Sequence, residues 1–101
     1  MIAEQLLDRA AIARACERFG VTRLRVFGSA LTDRFDPVRS DVDFLVEFAP
    51  DAERTFQALF ALRDELEGIV GHPVDLIDVR NVRNPYFARS AFDTARDVYA
   101  A

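Results

Sequence analysis

The sequence predicts an α/β domain of the α+β kind, with a three-stranded mixed sheet flanked by about four helices in the order α–β–β–α–β–α. Three observations predict it. Apolar residues recur at helical spacing in long segments and alternate, or run together, in three short segments between them. A full helical segment separates the second and third short segments, which implies a right-handed parallel crossover. Only a polar loop, too short for a long regular helix, separates the first and second, which implies an antiparallel pair. At 101 residues, a single domain over residues 1–101 is expected.

Residues 2–19 read as the first helix. Ile12, Cys16 and Phe19 recur at helical spacing, Leu6 and Ala13 extend the stripe, and Glu4, Asp8, Arg14, Glu17 and Arg18 fill the other faces. Gly20 ends it as a left-handed cap. Residues 24–27 form a short strand running into Gly28-Ser29. A polar stretch containing Pro37 follows, and residues 41–48 form the second strand. Residues 54–70 make the next long helix, with Phe56, Leu59, Leu62, Leu66 and Ile69 as its stripe and Phe60 and Val70 broadening it. Gly71 caps that helix. Pro73 leads into a third strand over residues 74–79, a position where proline is tolerated. Asn84-Pro85 opens the last helix, and Ala88, Ala91, Phe92, Ala95 and Val98 make its buried face.

Composition narrows the function. Half the residues are hydrophobic, nine of them Phe, and 30% are charged, which excludes a disordered chain, a collagen-like repeat or a disulfide scaffold. All thirteen basic residues are Arg, set against seventeen acids, for a formal charge of −4. That balance argues against direct, general nucleic-acid binding. It leaves room for a nucleotide bound with a metal, because carboxylates that repel one another alone become cation ligands. Cys16, the only cysteine, has no internal disulfide partner. The first residues lack the basic-then-apolar plan of a signal peptide, and no apolar run approaches the roughly 20 residues of a membrane helix. A cytoplasmic protein is expected.

The predicted topology brings chemistry to one edge of the sheet. Gly28-Ser29 ends strand one, Asp41 and Asp43 begin strand two, and Asp75 lies near the start of strand three. Asp41 and Asp43 share a face, roughly 6.5–7 Å apart along the backbone, with Asp75 about 4.8 Å to the side. Three carboxylates so close cannot all stay ionised without a cation. Two divalent ions about 3.5–4 Å apart suit such a group. The glycine lets a phosphate approach the backbone, and the Ser29 hydroxyl can bond its oxygens.

Gly28-Ser29, eleven intervening residues, Asp41-Val42-Asp43 and the later Asp75 within Val74-Asp75-Leu76-Ile77 resemble the nucleotidyltransferase superfamily of DNA polymerase beta. Phe27-Gly28-Ser29-Ala30-Leu31 and Ser40-Asp41-Val42-Asp43-Phe44-Leu45-Val46-Glu47-Phe48 are similar to its minimal bacterial branch, the MNT proteins, and the resemblance covers nearly the whole chain. It implies that Asp41, Asp43 and Asp75 bind Mg²⁺, that Asp75 also helps deprotonate an attacking hydroxyl, and that Gly28 and Ser29 hold the phosphates of ATP. It further implies a HEPN-domain ribonuclease toxin as partner, AMP transfer onto a tyrosine of that toxin, and an antitoxin role. The family often has a basic residue soon after the serine. Thr32 stands here, with Arg34 and Arg39 as substitutes for phosphate contact.

Other residues carry a plainer expectation. Asp78, three after Asp75, points to the opposite face of the strand. His72 is a surface turn residue, Cys16 is core, and Asp33 and Asp36 face solvent or cap a turn. Tyr86 and Phe87, at the start of the last helix, are placed to meet a partner or a second copy of the chain. The alternatives to the enzyme are an antitoxin that acts by binding alone and a transferase acting on a small molecule. The second normally needs a further arm to hold its acceptor.

Overall fold

The computed structural model describes all 101 residues, Met1–Ala101. A four-stranded mixed sheet forms its centre: β1 (Val21–Phe27), β2 (Val42–Phe48), β3 (Val74–Asp78) and β4 (Arg96–Ala100), in the spatial order β3-β2-β1-β4. β1 runs antiparallel to both β2 and β4, whereas β2 and β3 are parallel. The expected antiparallel and parallel pairs are both present. Three α-helices accompany the sheet: α1 (Arg9–Phe19), α2 (Phe56–Val70) and α3 (Pro85–Thr94).

The sheet is amphipathic on both faces, unequally. Leu24, Val26, Val42, Phe44, Val46 and Val74 belong to the main core, which Ile12, Ala15 and Cys16 of α1 and Leu62, Leu66 and Val70 of α2 complete. A smaller apolar cluster on the other face joins Phe27 and Leu45 to Ala91 of α3. The period of two along β2 explains the division. Val42, Phe44 and Val46 alternate with Asp43, Leu45 and Glu47, so one strand serves a deep core and a half-polar face.

Four expectations change. The first helix begins at Arg9, because the Asp8 side chain accepts from the Ala11 N–H and caps it there, while residues 4–6 form only a 3₁₀ turn. The chain has three α-helices rather than about four. The buried row of α2 is Ala58, Leu62, Leu66 and Val70, an i, i+4 series, which leaves Phe56 80% exposed and Phe60 50% exposed. The last helix stops at Thr94, and the chain then extends as β4, making the sheet four-stranded. Without β4, the outer edge of β1 would be unpaired. Val98 is buried there as expected, but in a strand rather than on a helix.

Candidate active site

The sheet brings four strand ends to one edge. On β2, Asp43 pairs with Asp75 of β3 on one side and with Phe27 of β1 on the other, and Val26 pairs with Arg96 at the start of β4. Directly paired residues project to the same face. Asp43 and Asp75 therefore stand side by side, one strand spacing of about 4.8 Å apart. Asp41 lies one residue before β2 and is exposed, as is Asp75.

Asp43 is the acid most affected by this arrangement. Burial first, then the charges of Asp75 and Asp41, push its carboxyl from an ordinary 3.8 up to about 6. Gly28 lies against it. Its φ is +75°, in the left-handed region, and a Cβ there would stand 2.7 Å from Asp43 Oδ2. Both the backbone conformation and the close approach call for glycine. The next residues form a single 3₁₀ turn, Gly28–Leu31, in which the Ser29 carbonyl accepts from the Thr32 N–H and hydroxyl, leaving the Ser29 side chain out of these turn bonds.

A groove of about 740 Å³ opens beside this turn, lined by Gly28, Ser29, Thr32, Arg34, Asp93 and Arg96 among others. Arg34 therefore shares a surface with the glycine–serine pair. Arg39 lies instead on the exposed turn after Asp36, outside that lining. Arg96 had no place among the sequence candidates, because a residue read as helix gave no reason to put it beside β1. The signal was the alternation of Asp97, Val98 and Tyr99 around a β-branched residue.

Asp78 turns to the opposite face from Asp75. It is buried, paired with Arg54, and accepts from the Arg80 N–H, so its charge is spent on structure. His72 packs edge-on against Phe35 at a ring distance of 5.2 Å and takes no part in the acidic row. Asp36 caps its own turn by accepting from the Val38 N–H.

The acidic row suits a hard divalent cation. Its donors are carboxylate oxygens, and a cation would offset both the burial of the Asp43 charge and its repulsion from Asp75 and Asp41. The carboxylates are aligned along the edge without converging into a ready-made cage. Such an arrangement fits a metal that arrives with oxygen ligands of its own, as magnesium does on a nucleoside triphosphate.

The profile of the family described as the nucleotidyltransferase domain matches residues 9–98, nearly the whole chain. The chain belongs to this nucleotidyltransferase family. The protein MJ0128 of Methanocaldococcus jannaschii, named as a candidate protein adenylyltransferase, is 34% identical over 76 residues, covering 73% of this chain and 72% of its own length. A solved structure described as a candidate minimal nucleotidyltransferase is 33% identical, with 95% of each chain covered and a TM-score of 0.75. A chain of the complex between a tri-AMPylated HEPN toxin of Shewanella oneidensis and its MNT antitoxin shares the fold at 17% identity. Its TM-score is 0.66, with 96% of this nucleotidyltransferase and 73% of that chain covered. No helix of this family member is long and apolar enough to cross a membrane.

Proposed function

We propose that this nucleotidyltransferase transfers AMP from ATP to a tyrosine hydroxyl of a HEPN-domain toxin and acts as that toxin's antitoxin. The observation that carries this reading is the pairing of Asp43 with Asp75 across β2 and β3, hard against the left-handed Gly28. Asp41, Asp43 and Asp75 would hold magnesium, which when bound neutralises the triphosphate and lowers the pKa of the attacking hydroxyl.

The chain's own groups account for the remaining work. Gly28 leaves room for a phosphate beside the backbone, and the Ser29 hydroxyl donates to its oxygens. Arg34 and Arg96 lie along the same groove and offer charge-assisted bonds to the departing pyrophosphate. The exposed Asp75 faces outward, where an acceptor can reach it, and one of its carboxylate oxygens takes the phenolic proton. The new bond joins the tyrosine oxygen to the α-phosphorus. The bond broken joins that phosphorus to the oxygen that bridges the α- and β-phosphates.

Names given to relatives support this reading. MJ0128 is named for protein adenylyl transfer, and the Shewanella complex holds an AMPylated toxin. The test uses ATP labelled at the α- or the γ-phosphate, magnesium and the purified HEPN partner. Label from the α-phosphate alone should appear on the partner. Label from the γ-phosphate, or none from either position, would overturn the reading.

A further inference from the structure

The outer edge of β3 is open. The Val42 N–H donates to the Pro73 carbonyl, which sets the phase of the parallel ladder: Pro73, Asp75 and Ile77 bond inward to β2, while Val74, Leu76 and Asp78 aim their backbone groups outward. The Val74 N–H confirms the phase, since it is taken from outside by the Glu67 carboxylate. The N–H and C=O of Leu76 have no such partner in the fold.

An exposed edge is normally guarded by charge. Asp78 does not guard this one, because it is buried and paired with Arg54. Beside the edge runs a small groove of about 150 Å³, lined by Leu59, Phe60 and Arg63 of α2 and by residues 74–76 of β3. Phe60 stacks with the exposed Phe56, and Arg63 lies over its ring. The edge thus combines open backbone groups and room for one apolar side chain on the α2 face. The neighbouring Asp75 projects to the other face, so successive residues of an added strand would meet the groove and the acid in turn.

We infer that β3 docks an extended segment of the acceptor protein as an added strand, which sets the acceptor hydroxyl beside Asp75. The inference rests on the transfer reading above and names how its substrate is held. Main-chain bonds to Leu76 give register, and an apolar side chain of the segment fills the groove against Phe60. A second copy of this chain fits the transfer reading poorly: antiparallel self-pairing sets outward residues opposite one another, so centring it on Leu76 or on Asp75 lays the other copy's β3 alongside Asp75, the acid that an acceptor must reach. Proline at position 76 would remove the outward N–H and leave the ladder to β2 intact.

The test compares wild type, Leu76→Pro and the double variant Phe56→Ser/Phe60→Ser, the last changing exposed side chains only. Each is assayed for AMP transfer to the HEPN partner, with KM measured separately for partner and for ATP. Both variants should raise KM for the partner by roughly tenfold, about the worth of one lost hydrogen bond in the first and of one unburied apolar side chain in the second, with KM for ATP unchanged. A photo-crosslinker replacing Phe60 should capture one extended segment of the partner, next to the modified hydroxyl. An unchanged KM for the partner in both variants, or crosslinks spread over a helical face, would overturn the inference. So would a dimer of this chain that Leu76→Pro dissolves. If wild type modifies nothing, the transfer reading falls and the crosslink alone judges the docking.

Discussion

Asp43 is held by its neighbours at a cost that pH reveals. Its carboxyl titrates near 6 in the fold against an ordinary 3.8, so the folded chain binds this proton more tightly than the unfolded chain does. The resulting destabilisation is absent below about pH 4, grows between those two values and is complete above 6. Asp43→Asn should therefore raise the Tm in chelator at pH 8 and leave it nearly unchanged at pH 4, while abolishing transfer. Thermal melts at the two pH values check the first part, and an equal shift at both would contradict it. Cys16 offers a second test at this scale. Burial, and then the charge of Glu17, push its thiol up to about 12, so a thiol reagent should label it only on unfolding. The pairing of Asp43 with Asp75 was legible in the sequence because loop lengths set the strand directions, and a strand's period of two sends Asp78 away from Asp75. The exposure of Phe56 and Phe60 was not legible, since helical spacing cannot say which of two adjacent rows the sheet will cover.

α3 shows how a short element is fixed by its ends. The Asn84 side chain accepts from the N–H groups of both Tyr86 and Phe87, and Pro85 occupies the first turn. Phe87 then meets Phe27 edge-on at 5.8 Å, directly beside Gly28. Asn84→Ala should cost about 1 kcal/mol, measured by urea unfolding, and an unchanged midpoint would contradict the cap's role. The start of this helix was readable from Asn84-Pro85 alone. Its end was not, because the pairing of β4 with β1 is a tertiary effect that overrides local helical spacing. That pairing carries Arg96 to the groove. Arg96→Gln should raise KM for ATP by about tenfold, as expected for the loss of one charge-assisted bond, with the melting temperature little changed.

Across the whole molecule, the sheet order β3-β2-β1-β4 lines up the start of β3, the start of β2, the end of β1 and the start of β4. The first three positions followed from loop lengths in the sequence, and the fourth came only with the structure. Removing residues 96–101 should expose the outer edge of β1 and the pocket that Val98 fills, lowering the Tm by about 10 °C, the equivalent of about 2 kcal/mol for a domain of this size. The central claim is that Asp75 serves the chemistry while Asp41, Asp43 and the glycine–serine turn hold the nucleotide. It is tested most directly by mass spectrometry of the HEPN partner after incubation with ATP, magnesium and either wild type or Asp75→Asn, with ATP affinity measured in parallel. The variant should bind ATP within a few-fold of wild type yet modify the partner at least ~10²-fold more slowly, as expected for the loss of a positioned base. A full AMP adduct formed by Asp75→Asn at the wild-type rate would contradict it.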